Sequence, residues 1–454
     1  MLRTSEKRIY WHDVASGKLS REVKITAFVA PLGSLGLAFA YSPARELVAV
    51  ADGDRVVIID ATSGKTRQVS RRFNWTPKEA YFSPTGNYLV TVGRNHNPYS
   101  SWPGDPPEII LWDLSRFESP KRLQFDSLEL PQVQFDAVDG LVLLFTPRSI
   151  AKTKSVLAFY EISSGELVQR RVIDGEWLRR AAFLDSDTVA LCPLAVKVNA
   201  EYKFLSEIRS TGEIRVEPPN GDAKWTRPIP GFRSVNSVAK LMLTDDSLSR
   251  KAPFVVDTRT LIPALARDTL GIDDDERLKK LWEQLAGKPN AAQLAISELK
   301  ATDSRKVAKF LRERLRRVAE GDAPAVRDAL VSLASDDDEV AEKARQALLQ
   351  FGMQAAPALR HALTEDVNSL LQLRIEGVLR EITNTAWTDV EELRSVRALR
   401  VLEKDQSDEA NELLRELSTG FPLARSTRAA AAILRLHNLN AALPPVANTH
   451  DDNR

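Results

Sequence analysis

The chain has 454 residues, a hydrophobic content of 43% and a formal net charge of +1 at pH 7. This length predicts two or three globular domains, and the balanced charge excludes the basic footprint typical of nucleic-acid-binding proteins. The single cysteine, Cys192, excludes an intrachain disulfide, and no apolar run approaches the roughly 18 residues of a membrane span. The N-terminal segment also lacks the apolar core of a secretory signal, so we expect a cytoplasmic protein with no nucleic-acid or membrane partner.

Six short apolar segments recur through the first half of the chain, and each ends on an acid, or on a residue in the acid's place, before a turn. Their last positions are separated by 47, 53, 48, 47 and 49 residues, and four segments are followed at the same offset by Ser-Gly or Thr-Gly. A fixed period of this length, with four short strands per unit, predicts the blades of a β-propeller. The segments are IYWHD (9–13), VVIID (56–60), IILWD (109–113), LAFYE (157–161), FLSEI (204–208) and PFVVD (253–257).

Three pieces of this half match a known repeat family. They are LWD (111–113), WHD (11–13) and FSPTG (82–86). With these pieces and the recurring period, the N-terminal half resembles the WD-repeat β-propellers. The fourth and fifth segments depart from that family because they end on Glu161 and Ile208, so we expect the last blades to be less regular.

The first repeat begins too close to the N-terminus for a complete blade. Its strand starts at Arg8, which leaves no room for two inner strands. We therefore expect a propeller over residues 1–265 with about five full blades and one half blade. Either the N-terminal strands pair with an irregular C-terminal edge, or the chain is a truncated remnant of a longer WD-repeat protein.

From about residue 273 the period of the apolar residues changes from that of strands to that of helices. We expect a linker at 266–274, an all-helical domain at 275–440 and a disordered tail at 441–454. The two domains are expected to share few contacts. After a first helix that Gly287 ends, further helices are expected at about 290–301, 304–318, 323–334, 337–351, 355–364, 369–383, 389–404, 407–418 and 424–437.

One pair of helices has a sharper signature. Aspartates at 336–338 precede an apolar helix that Gly352 ends, and Pro357 lies near the start of the next helix. This order resembles a HEAT repeat. Carboxylates at a helix start cap free N–H groups, so we expect the acids to cap the helix rather than bind a metal.

The helical half also resembles the extension that follows WD-repeat propellers in large planctomycete protein families. The further matching pieces are LWEQLAG (281–287), VAKFLRERLR (307–316) and LRSVRALRVLEKDQSDEANELLRELS (393–418). This resemblance implies a β + α multidomain fold, a WD-repeat-like propeller followed by an all-α HEAT-like domain.

A search for catalytic motifs gives a negative result. The sequence has no nucleophile elbow, P-loop, dinucleotide-binding or H-E-x-x-H motif, and its five histidines lack metal-ligand spacing. His12 lies within a repeat strand and Cys192 within an apolar one, so both are expected to be structural. We therefore expect no enzyme activity, no catalytic residue, no cofactor and no metal.

Two features are candidates for partner binding. The loop at 94–108 lengthens its unit and carries Tyr99 and Trp102, and exposed aromatic side chains on a rigid scaffold often anchor a partner. The stretch from 305 to 317 contains seven basic residues and one acid, and Arg312 and Arg316 would offer a second, electrostatic contact.

The favoured hypothesis is a non-enzymatic scaffold that binds other proteins through its propeller and helical surfaces, because repeats give a large rigid area without special chemistry. One alternative is a propeller enzyme or small-ligand receptor with a site in the central channel, which would need polar groups that converge from several blades. A truncated remnant of a longer protein is the other alternative.

Overall fold

The computed structural model consists of an N-terminal half of antiparallel sheets and a C-terminal half of helices. All structural statements below concern the residues that it describes. These are 2–5, 8–12, 18–24, 38–52, 55–70, 73, 75–95, 106–125, 127, 129–146, 154–174, 176–185, 188–198, 205–210, 214–217, 225–227, 232–236, 241–244, 254–257, 274–319, 323–365 and 368–442.

The described strands form six antiparallel sheets in chain order, which together make a β domain of repeated sheets. The strands are β1 (Leu2–Ser5), β2 (Arg8–His12), β3 (Leu19–Lys24), β4 (Phe39–Ser42), β5 (Leu47–Asp52), β6 (Arg55–Asp60), β7 (Thr66–Val69), β8 (Trp75–Phe82), β9 (Tyr88–Asn95), β10 (Glu108–Asp113), β11 (Lys121–Leu123), β12 (Gln132–Phe135), β13 (Leu141–Phe145), β14 (Lys154–Glu161), β15 (Glu166–Asp174), β16 (Glu176–Asp185), β17 (Thr188–Val198), β18 (Leu205–Ser210), β19 (Ile214–Glu217), β20 (Trp225–Arg227), β21 (Phe232–Asn236), β22 (Leu241–Thr244) and β23 (Phe254–Asp257).

The second, third and fourth sheets are regular four-stranded meanders, β4–β7, β8–β11 and β12–β15. The fifth sheet is irregular, because β17 pairs with β16, β18 and β19, and the first and sixth sheets contain three described strands each. The first strands of sheets contact one another, β4 with β8, β12 with β16 and β16 with β21. The repeated sheets therefore pack through their first strands, as the inner strands of neighbouring propeller blades do.

Strand β10 illustrates why these sequences form strands buried on both faces. Ile109 and Leu111 point into a core shared with the fourth sheet, whereas Ile110 and Trp112 point into a core shared with the second sheet. Trp112 is 1% exposed and donates from Nε1 to Thr91 Oγ1 at 2.9 Å. The near-continuous apolar run is explained by this double burial.

The acid that ends each regular repeat organises the turn after it. Asp60 Oδ1 accepts the backbone N–H of Ser63 at 2.7 Å, and Gly64 follows with a φ of +72°, a backbone conformation that favours glycine. In the fourth sheet, Ser164 Oγ donates to Glu161 Oε2 at 2.7 Å and Gly165 has a φ of +65°. The recurring Ser-Gly is therefore a consequence of turn geometry.

The described part of the helical half contains ten α-helices, and none of them is long and apolar enough to cross a membrane. Two clusters of apolar side chains organise them: α1–α3 and α8–α10 share one, and α4–α7 share the other. The helices are α1 (Asp274–Leu285), α2 (Pro289–Ala301), α3 (Ser304–Arg312), α4 (Ala323–Leu333), α5 (Asp338–Phe351), α6 (Ala356–Ala362), α7 (Ser369–Thr385), α8 (Val390–Val401), α9 (Asp408–Ser418) and α10 (Arg425–Ala442).

The helix caps agree with the expected role of the acidic run. Asp337 accepts the backbone N–H groups of Glu339 and Val340 at the start of α5. Helix α3 is shorter than expected, because it ends at Arg312 rather than near residue 318. Beyond it the chain turns to pair with the loop before α10, where Val318 accepts a backbone hydrogen bond from Phe421 at 2.8 Å.

The expectation of few contacts between the two halves is wrong. Ala137 and Val138, from the turn between β12 and β13, belong to the core of the helical cluster around α8. In return, Trp387, which precedes α8, is 4% exposed and packs in the core between the third and fourth sheets. Each half therefore completes a core of the other. The expected linker at 266–274 lies almost wholly outside the described residues.

Candidate functional site

The most concentrated group of charged side chains lies where the helices meet the third and fourth sheets. Arginines of the helical half reach the acids that end β10 and β14. We call this group the arginine seam. It comprises Asp113, Arg116, Glu161, Glu392, Arg397, Arg425 and Arg428.

Arg397 on α8 and Glu161 at the end of β14 form a two-point ion pair. The arginine Nε and Nη2 donate to the two carboxylate oxygens at 2.7 and 2.6 Å, and both side chains are buried. Arg397 Nη1 donates as well to the carbonyls of Leu285 and Gly287, at 2.7 and 2.8 Å. Burial alone would raise the pKa of Glu161, but the hydrogen bonds and charge of Arg397 hold it below its ordinary value.

Asp113 at the end of β10 divides its two oxygens between the turn and the helices. Oδ1 accepts from the Ser115 backbone N–H and hydroxyl, at 2.9 and 2.7 Å. Oδ2 accepts from Arg428 Nη2 at 2.8 Å and lies 3.6 Å from Arg425 Nε. Burial opposes ionisation of this fully buried carboxyl, but Arg428, Arg116 and Arg425 hold its pKa well below the ordinary range.

Arg116 extends the arginine seam to the start of α8. It is fully buried, and its Nη2 donates to Glu392 Oε2 at 2.6 Å while Nη1 donates to the Ala386 carbonyl at 2.9 Å. The other oxygen of Glu392 accepts the Arg425 backbone N–H, the first of α10, at 3.0 Å. The Arg425 guanidinium carbon lies 4.6 Å from the centre of the Trp387 ring. One carboxylate thus connects the β10–β11 turn to two helices.

The same turn is held by uncharged and peripheral contacts. Trp387 Nε1 donates to the Ser119 carbonyl at 2.8 Å, and the Ser119 hydroxyl lies 2.6 Å from that of Thr383. Arg360 on α6 binds both oxygens of Glu118 at 2.7 and 2.8 Å. The turn is therefore bound by residues from α6, α7 and the segment before α8.

The turn between β12 and β13 approaches α8 closely at Gly140. A Cβ placed on Gly140 would lie 2.5 Å from Arg400 Nε, nearer than real Cβ atoms come to other atoms. Beside it, Asp136 accepts the backbone N–H groups of Gly140 and Leu141 at 2.7 and 3.0 Å. Burial raises the pKa of Asp136 to about 7, although Arg400 acts in the opposite direction.

Asp139 in the same turn is a buried carboxyl that accepts a hydrogen bond from the Thr85 hydroxyl through Oδ2. Among the residues that the structure describes, no cationic group donates a hydrogen bond to it, and Oδ1 has no hydrogen-bond partner. Burial raises its pKa from 3.8 to about 6, although hydrogen bonds from Thr85 and Ser83 act against this. Its φ of +58° lies in the left-handed region, which aspartate and asparagine tolerate.

Replacing Asp139 with asparagine should flatten the pH dependence of stability. Since the folded pKa is raised, the unfolded chain loses the proton first as pH rises from 3.8 to about 6. The wild-type free energy of unfolding should fall across this window, by at most roughly 3 kcal/mol, and the cost should persist above it. In the Asp139→Asn variant, this contribution to the decrease in the free energy of unfolding should be absent. Urea unfolding between pH 4.5 and 7.5 measures it, and parallel curves for the two proteins would contradict the assignment.

The arginine seam joins the two halves of the chain through paired charges. Each of its three carboxylates accepts a hydrogen bond from an arginine side chain. Within the part of the chain that the structure describes, no three His, Cys, Asp or Glu side chains are grouped so that they could hold a metal ion. A buried network of ion pairs of this kind fixes the relative position of two domains, although several guanidinium nitrogens of Arg116, Arg425 and Arg428 lack a hydrogen-bond partner among the described residues.

The structure describes only two of the four binding residues predicted from the sequence. Tyr99 and Trp102 lie outside the described residues. Arg312, the last residue of α3, donates to Glu412 on α9 at 2.7 Å across an exposed surface, and this hydrogen bond raises the pKa of Arg312. Arg316 donates to the carbonyl of Arg312 at 3.0 Å. The two arginines are therefore neighbours, beside an acidic helix, and their role in partner binding stays a prediction.

Sequence reasoning did not identify the arginine seam. The recurring acids were recognised, but only as markers of the repeat. Arg397 offered a signal, since it lies four residues after Leu393 and one after Val396, on a helix whose neighbouring positions are buried. An arginine among buried positions must have a partner of opposite charge, and unassigned strand-ending acids were available.

Comparisons with known proteins do not assign the chain to a family. No family model and no curated protein matches it. Two solved structures are similar in part. A chain of Kuenenia stuttgartiensis Hydrazine Synthase is 16% identical, with 56% of this chain and 72% of that chain covered and a TM-score of 0.36. A chain of a Mitotic Checkpoint Complex is 10% identical, with 49% and 60% covered and a TM-score of 0.32. Likenesses at this level carry no argument about function.

Proposed function

We propose that the protein is a non-enzymatic scaffold that binds other proteins, and that its helical half and β domain act as one rigid platform. The observation that carries the proposal is the arginine seam, together with the two shared cores. Buried ion pairs and interpenetrating apolar cores resist relative movement of domains, whereas a flexible linker would allow it. A rigid composite surface suits the simultaneous or oriented binding of partners.

We further propose that the β domain is a WD-repeat-type propeller with a HEAT-like helical extension, similar to those of planctomycete protein families. The four-stranded meanders, the contacts between first strands and the recurring acid-turn-glycine sequence support this reading. The lone cysteine favours a reducing compartment such as the cytoplasm.

The partner contacts proposed for this platform belong to two different parts of the chain. The loop with Tyr99 and Trp102 connects β9 to β10. In the β9–β10 pair, Glu108 lies opposite Gly93 while Asp113 lies opposite Tyr88, so these strands meet the loop at the sheet edge away from Asp113 and the helices. Arg312 and Arg316 belong to the helical half. The aromatic side chains of the loop would contribute short-range affinity, and the arginines of the helical half would steer charged partners.

Replacing Tyr99 and Trp102 together with alanine should weaken binding of the physiological partner by about tenfold or more, without lowering the melting temperature. The partner is first identified by affinity purification of the tagged protein, and its affinity is then measured with purified components.

Reversal of Arg312 and Arg316 to glutamate should mainly slow association with the partner, and most strongly at low salt. Equal affinity of the double aromatic variant would remove this loop from the proposal, and failure to recover any partner that binds directly would overturn the scaffold function.

A further inference from the structure

Helix α7 exposes an apolar face that its own fold does not use. Its inner face buries Ile375, Val378 and Leu379 in the core with α4–α6. On the outer face, Leu370 and Leu373 are 50% and 65% exposed. These two leucines are one helical turn apart, so they form a contiguous apolar patch rather than scattered surface residues.

A glycine continues this outer face. Gly377 lies one turn after Leu373, in the middle of α7, and a Cβ placed on it would meet no atom of the described part of the chain within 4 Å. Internal packing therefore gives no reason for a residue that weakens helices. Glycine on the outside of a helix permits close approach of another backbone, and an adjacent leucine pair is a suitable anchor for it.

The surface beside this face is acidic. Arg374 Nη1 donates to the carbonyls of Leu333 and Ser335 at 3.0 and 2.7 Å, and its Nη2 pairs with Asp338 at 3.0 Å. These bonds place the start of α7 against the connection between α4 and α5. The segment 335–342, which ends that connection and begins α5, contains five acids and no basic residue, and Lys343, Arg345 and Arg374 each bind one of these acids.

Val340 in the same segment adds a further apolar side chain that is 40% exposed. The α7 outer face, which we define as Leu370, Leu373 and Gly377, is therefore bordered at one end by a segment of net negative charge with its own apolar residue. A partner must offer apolar side chains to the helix and positive charge to the acids.

We propose that the α7 outer face binds a basic amphipathic helix of a partner protein, which crosses α7 over Gly377 and places its Lys or Arg residues over segment 335–342. This inference rests on the proposed scaffold function and names one class of partner for it. Leucine anchors in register with a helical period and charges of opposite sign are the features of helix-in-groove recognition.

The test uses a fluorescein-labelled peptide of about 16 residues, with leucines at the i, i+3, i+4 and i+7 positions and lysines on the other face. Fluorescence anisotropy against the full chain should give saturable binding. A scrambled peptide of the same composition should bind about tenfold more weakly or worse, because it lacks an apolar face. Equal binding of the two peptides, or no saturable binding of the first, would overturn the proposal.

Variants locate the site. Leu370→Ser with Leu373→Ser should weaken peptide binding about tenfold or more, whereas Leu294→Ser, at a leucine of α2 that is 55% exposed, should leave it unchanged. Asp336→Lys should weaken binding most at low salt. Gly377→Ala should raise the melting temperature yet weaken binding, a combination that a purely structural role of this residue would not give.

Two results would separate this proposal from the scaffold function. Unchanged peptide affinity in the Leu370 and Leu373 double variant would exclude the α7 outer face as the binding site. Partners captured through the Tyr99 and Trp102 loop would still support the scaffold function. Self-association that the double variant abolishes, without peptide binding, would identify a second copy of this chain as the occupant and overturn the basic-helix assignment.

Discussion

Replacing Arg397 with methionine is expected to lower the free energy of unfolding by about 3–5 kcal/mol, the usual cost of leaving one member of a buried ion pair without its partner. Glu161 would lose the cation that compensates the burial of its charge, and the carbonyls of Leu285 and Gly287 would lose their donor. Chemical unfolding followed by circular dichroism and tryptophan fluorescence measures the change. Because the lost bonds join both halves of the chain, the unfolding transitions measured by circular dichroism and by fluorescence should no longer coincide.

Two further variants give this experiment its control. Arg345→Met removes a guanidinium that binds Glu342 through two nitrogens and Glu381 through the third, but at the surface, so its effect should be much smaller. Combining Arg397→Met with Glu161→Met removes both charges and should recover much of the stability. If the single Arg397 variant unfolds like the wild type, the ion pair does not stabilise the junction between the halves.

Replacing Trp112 with alanine is expected to lower the free energy of unfolding by about 3–5 kcal/mol, as for other large buried aromatic residues. The indole is 1% exposed, its ring centre lies 4.8 Å from that of Phe117 and 5.5 Å from that of Phe73, and its N–H is bonded to Thr91. Alanine would leave a cavity between the second and third sheets.

Val69→Ala provides the comparison, because this side chain on β7 is 48% exposed and should be nearly neutral. Trp112→Phe should fall between the two, since it keeps an aromatic ring and loses the hydrogen bond to Thr91. A melting temperature of Trp112→Ala equal to that of the wild type would show that this core contributes little.

Local features of the fold could be read from the sequence because they depend on neighbouring residues. The acid at the end of a strand and the glycine four residues after Asp60 predicted a turn, and the aspartates before α5 predicted a cap. The length of α3 could not be read in this way. Beyond Arg312 the chain forms a backbone hydrogen bond from Phe421 to Val318, and these two residues are far apart in the chain.

The arginine seam was missed for the same reason. Arg397 and Glu161 are 236 residues apart, and Arg428 and Asp113 are 315 apart, so no local period connects them. The composition of α8 indicated that an arginine lay among buried positions, but the choice among many acids requires the tertiary structure. Of the predicted binding residues, Arg312 and Arg316 are placed side by side, while the role of the Tyr99 and Trp102 loop depends on experiment.

The long separation of these ion pairs has a consequence for synthesis on the ribosome. At about 5–20 residues per second, the arginines of α8 and α10 emerge roughly ten seconds to a minute after the acids they neutralise. During that interval Asp113 and Glu161 keep their charges in contact with water, and the cavity that Trp387 fills stays empty. The third and fourth sheets therefore reach their final packing only after α10 has been synthesised, and a nascent chain halted before α8 should be a substrate for chaperones.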